Sequence, residues 1–142
     1  CASARPLGAA IGARTVNIPP NRKVMYHAAA VMASNFPVVL AALAARLLAD
    51  SGMETRAAEQ VVQRLMAGAI SNLEYGSPRA VLTGPAARED TDAIAAHRAA
   101  LRYDPEMLAV YDALTRAAIS LAGGHATAVD DAGIGGRSEP KC

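Results

Sequence analysis

The chain has 142 residues, 52% of them hydrophobic but only 4% aromatic, and its 14 Lys and Arg against 13 Asp and Glu leave a formal net charge of +1. That length is one domain's worth and can bury a real core, here built from Ala, Leu, Val, Ile and Met. A near-neutral balance with no basic stripe and no aromatic platform excludes the usual grips on nucleic acid and on anionic membranes.

Taken in chain order, "RPLGAAIG" reads as the end of a helix with a glycine stop. "ARTVNIPP" then alternates through Thr15, Val16, Asn17 and Ile18 as one short strand. A lone strand needs a sheet partner for its backbone, and nothing later reads as another strand. The partner is expected in a missing segment, in another chain, or nowhere. The chain also starts at Cys1 without Met or a signal peptide, as though an earlier part had been removed. Cys1 and Cys142, at the two extremes, read as incidental thiols of a reducing cytoplasm.

From Asn21, taken as an N-cap, a helix is expected to run through Leu48 and stop at Asp50, Ser51 and Gly52, with Pro37 kinking it. No charged residue falls between Lys23 and Arg46, a run long enough to raise the question of a membrane span. His27, Ser34, Asn35, Pro37 and the weak hydrophobicity of alanine argue instead for the central helix of a bundle, enclosed by its neighbours. Thr55 caps a second helix with Val61, Leu65, Ile70 and Leu73 on its apolar side and Gly76 as its stop. Ser77-Pro78 opens a short helical turn through Leu82, and "TGPAARED" is a tight loop. Asp90 or Thr91 caps a helix through Arg102, and Asp104-Pro105 starts the last one, ended by Gly123-Gly124.

The fold class is therefore all-α: a bundle of about five helices with a long, Pro-kinked central helix, one short N-terminal strand and a disordered C-terminal tail. Residues 1–20 form the helix end and strand, 21–122 the helical domain, and 123–142 the glycine-rich tail without periodicity.

At 3.6 residues per turn His27, Val31, Ser34, Asn35 and Val38 share one side of the long helix. Such a row can line a substrate cleft, with His27 giving or taking a proton and Ser34 and Asn35 positioning by hydrogen bonds. It can equally satisfy itself, a neighbouring backbone, or the groups released by Pro37. In "LTGPAAR", Thr83 and the Gly84-Pro85 turn let backbone approach a ligand, and Arg88 is either a carboxylate or phosphate clamp or a surface arginine. His97 lies between Ile94 and Leu101 at spacings of three and four, which reads as a buried, hydrogen-bonded histidine. The three histidines are too dispersed for a metal site.

Together "VNIPPNRKVMYHAAAVMASNF" and "LTGPAARED…AAHRAAL" resemble the C-terminal helical domain of Rossmann-like NADP-dependent oxidoreductases. This is the family called domain of unknown function 2520, similar in architecture to ketopantoate and pyrroline-carboxylate reductases and to the C-terminal domain of 6-phosphogluconate dehydrogenase. The resemblance covers Val16 to Ala122. It implies that NADP is bound mainly by a Rossmann domain absent from this chain, against which the strand would lie. It also implies a small-molecule substrate and a homodimer of paired long helices. Related reductases carry a catalytic lysine near the start of this helix and an asparagine one turn on; here His27 stands near the lysine's place and Asn35 follows two turns later. The candidate catalytic residues are His27 and Asn35, and the candidate substrate-side residues Ser34, Thr83, Gly84, Arg88 and His97, the last four matching the family's second motif without a role that the resemblance itself establishes. The competing expectation is a non-catalytic helical module that assembles through alanine-lined faces.

Overall fold

Residues 16–123 are described in the computed structural model, and among them five α-helices and two 3-10 turns are joined by short links. The helices are α1 (Lys23–Asp50), α2 (Thr55–Asn72), α3 (Pro78–Val81), α4 (Thr91–Ala100) and α5 (Pro105–Ala122). The chain divides into two units, one through Gln63 and one from Arg64, with the division inside α2.

The expected strand is absent over its described residues: Val16 to Ile18 adopt no regular structure. A strand persists only where a second strand takes its N–H and C=O groups, and the described residues contain none. Thr15, the helix end before it and the tail beyond Gly123 lie outside the described residues.

In the first unit winding begins early. Pro20–Arg22 form a 3-10 turn in which the Arg22 N–H donates to the Pro19 carbonyl at 2.9 Å. Asn21 lies inside this turn and caps nothing; the residue before α1 is Arg22, which has no capping side-chain bond. Pro20, with φ already at the helical value, starts the winding before Asn21. Pro37 lies within α1, as expected, and the helix continues to Asp50. Gly52 ends it with φ +101, donating its N–H to the Ala49 carbonyl at 2.9 Å while Met53 donates to Leu48 at 3.1 Å. This left-handed stop favours glycine.

The next cap corrects a second expectation. Glu54, not Thr55, opens α2: its two carboxylate oxygens accept the N–H groups of Arg56 and Ala57, each at 2.9 Å. Thr55 is already the first helical residue, so its hydroxyl sits one place too late. A charged acceptor with two oxygens serves two unsatisfied donors at once. The buried side of α2 is also not the expected one. Ala58 and Val62 are buried, while Leu65 is 67% exposed; burial follows the helix face that meets a neighbour rather than the largest side chains.

The second unit is built on α5. The Ser77 side chain caps α3 by accepting the Ala80 N–H at 3.3 Å. Asp90 caps α4 through Ala93 at 3.0 Å and Asp104 caps α5 through Met107 at 2.9 Å. Pro78 and Pro105 follow their caps, where a missing N–H is harmless. α3, α4 and the 3-10 turn Ala86–Arg88 all pack against α5. Ile94, Leu101, Met107 and Thr115 are its buried side chains, and Gly123, φ +88, ends α5.

Candidate functional site

No residue of α1 is buried, so the enclosure anticipated for this helix is not supplied by the described residues. Val24 is 83% and Phe36 52% exposed. With the turn before it, the helix is long and apolar enough to cross a membrane by length and composition, but its polar stripe runs along one side.

His27 is exposed and makes no hydrogen bond among the described residues. Ser34 Oγ lies 2.7 Å from the Ala30 carbonyl oxygen and 2.8 Å from Asn35 Oδ1. A hydroxyl has one proton to donate. Given to Asn35 Oδ1, it leaves the amide NH2 turned away from Ser34 and available to an acceptor. The carbonyl that Pro37 leaves without a helical donor belongs to Ala33, four residues back. Ser34 bonds elsewhere, so repair of the proline break does not account for it. The stripe is open polar surface.

Toward the C-terminal end of α1 the same side of the helix carries Ala41, Ala45 and Ala49. With Glu59 and Val62 of α2 these alanines line an open groove of about 460 Å³, rimmed by Arg46 and Gln63. On the side away from His27, Met25, Tyr26 and Ala29 join Val16, Ile18 and Arg22 around a second hollow of about 740 Å³. The helix thus offers a polar side that runs into a groove and, opposite it, an apolar side.

The second motif lies in the second unit. Leu82 is extended, and Gly84 turns the chain with φ +93, a conformation that only glycine takes readily. Thr83 is exposed beside it. The Arg88 and Asp90 N–H groups both donate to the Pro85 carbonyl, at 3.2 and 3.0 Å, closing the turn. The Arg88 side chain is exposed and has no hydrogen bond or ion pair among the described residues. Glu89, just after it, holds φ +55, unusual for a side chain other than glycine.

His97 departs from expectation. Ile94 and Leu101 are buried but His97 is exposed, because it sits at the edge of their face rather than between them. Its Nδ1 meets the Tyr111 hydroxyl at 2.9 Å, and the two rings pack edge to face with centroids 5.8 Å apart. Beside it Arg98 binds Asp112 through Nε and Nη2. Tyr111 was not singled out in the sequence; the available signal was the fourteen-residue separation that it shares with the Arg98–Asp112 pair. Among the described residues no three of His, Cys, Asp and Glu gather to hold a metal ion.

The chain is similar to protein TM1727 of Thermotoga maritima, at 32% identity and a TM-score of 0.68, over 75% of this chain and 42% of that one. It is similar also to BF3122 of Bacteroides fragilis, whose crystal structure is described as that of a "putative NADP oxidoreductase". There the identity is 29% and the TM-score 0.64, over 75% of this chain and 40% of the other. The chain therefore spans about two fifths of the length of the solved proteins it matches. No curated protein matches it. The family model described as a domain of unknown function, DUF2520, matches residues 1–118. By that match over most of its length the chain belongs to the domain of unknown function 2520 family, a helical domain associated with Rossmann-like oxidoreductases.

Proposed function

We propose that this chain is the C-terminal substrate-binding and dimerisation domain of a cytoplasmic NADP-dependent oxidoreductase that reduces a small acid bearing a carbonyl or imine. The observation that carries this reading is His27: open, without a bonding partner, and on the same side of α1 as Ser34 and Asn35. In this reading His27 gives a proton to the oxygen or nitrogen that gains electrons, and Asn35, oriented by Ser34, donates a hydrogen bond to that atom. Within the second unit Arg88 is the candidate grip for a carboxylate, with Thr83, Gly84 and His97 the other candidate ligand contacts of that unit. The described residues include no glycine-rich loop between a strand and a helix to cradle a pyrophosphate. The nucleotide is thus left to a Rossmann domain, and residues 1–142 alone are expected to be inactive.

The bare apolar surface of α1 favours a second reading, a non-catalytic module for assembly. The two separate on His27→Ala in the protein that carries this chain with its cofactor domain. As a general acid His27 predicts a fall in NADPH-dependent turnover of about 10²- to 10⁴-fold with an unchanged melting temperature. Unchanged turnover removes the acid role.

A further inference from the structure

We infer that Tyr111 is a positioning residue that fixes one tautomer of His97 and turns its Nε2–H outward as a hydrogen-bond donor. Neutral imidazole has one N–H and one bare nitrogen, and the bond made by the first ring nitrogen decides which is which. Nδ1 lies 2.9 Å from the Tyr111 hydroxyl. A phenol O–H is the natural donor in such a pair and the bare imidazole nitrogen its acceptor, which puts the histidine proton on Nε2.

Three features hold the arrangement. The ring planes stand at 85°, so the Tyr111 ring also limits rotation of the imidazole. Tyr111 is half-buried on α5, and its hydroxyl has no other bond among the described residues. One residue along, the two bonds from Arg98 to Asp112 pin α4 to α5 and keep that arginine from an outside anion. His97, itself exposed, then offers one directed N–H to a carboxylate or carbonyl oxygen. Only this last step, what the donor meets, rests on the proposed substrate role.

The test is a long-range proton–nitrogen correlation spectrum of the ¹⁵N-labelled 142-residue chain at about pH 8, above the ordinary imidazole range. The His97 signals are assigned by their loss in His97→Gln. The expected spectrum shows Nε2 protonated and Nδ1 bare, with a tautomer ratio several-fold more one-sided than that of the unbonded His27, as one hydrogen bond allows. Tyr111→Phe, which keeps the ring and removes the hydroxyl, should bring the ratio back to that of His27. A protonated Nδ1 in the wild-type chain overturns the inference even if the variant does not fold, and so does an unchanged ratio in a folded variant. Neither result depends on turnover, so failure of the reductase reading would leave the spectrum as expected.

Discussion

Arg98 and Asp112 are joined by two hydrogen bonds, Nε to Oδ1 at 3.0 Å and Nη2 to Oδ2 at 3.2 Å, one residue beyond the contact of His97 with Tyr111. Two side chains on α4 thus meet two on α5, and this paired clasp holds the helix that carries His97. The arginine side chain is 41% exposed and the aspartate 15%, so solvent screens the charge while the fork geometry persists.

For that pair a double-mutant cycle between Arg98→Ala and Asp112→Ala should give a coupling of about 0.5–1 kcal/mol, weakened in high salt. Arg98→Lys should recover only part of it, because an ammonium cannot make the two parallel bonds. Urea unfolding at low and high ionic strength measures both effects; a coupling indistinguishable from zero would show that packing alone joins the helices.

At the start of α2, the N–H groups of Arg56 and then Ala57 hold the Glu54 carboxyl below the ordinary glutamate range. A value depressed by folding contributes stability that is present above the unfolded value and lost as pH falls through the folded one. The melting temperature should therefore drop between the ordinary glutamate value and the depressed one. Glu54→Gln should lower it at neutral pH and flatten the acid response. Identical acid profiles for the two proteins would contradict the cap.

The glycines at Gly84 and Gly123 share a left-handed φ but differ in surroundings. A Cβ at Gly84 would meet nothing within 4 Å, whereas one at Gly123 would lie 2.5 Å from Arg79 Nη2. Gly84→Ala should cost only the backbone strain, about 1–2 kcal/mol. Gly123→Ala should cost more, and combining it with Arg79→Ala should remove the excess. Equal losses in chemical denaturation would mean that Arg79 moves aside without penalty.

The proposed homodimer through α1 places Met32 and Phe36, both exposed, under a second copy. Sedimentation should find the wild-type chain dimeric. Met32→Asp with Phe36→Asp should weaken association by about 100-fold or more, as burying two like charges that cannot pair requires. A wild-type chain that is monomeric at every concentration would remove the dimer.

Much of the helical order was legible because capping is local. Ser77-Pro78, Asp104-Pro105 and Gly123 are recognised by residues within one turn of themselves, and each does what that pattern implies. Asn21 and Thr55 misled because a cap depends on where winding starts: Pro20 started it early, and Glu54 reached the first N–H groups of α2 before Thr55 could. The row of His27, Ser34 and Asn35 followed from periodicity, but periodicity does not say what covers a helix, so the bare surface of α1 was unforeseen. His97 lies at the margin of a buried face, where a modest rotation decides between core and surface, and its partner Tyr111 belongs to another helix.

A helix of 28 residues without a buried side chain has one further consequence. A separate partner that covered α1 in the folded state alone would enter its free energy by mass action, at RT ln(1 + [L]/Kd). The robustness of the fold would then be no fixed property of its sequence: tenfold more of such a partner would add about 1.4 kcal/mol once binding is saturated, and dilution would take the same amount away.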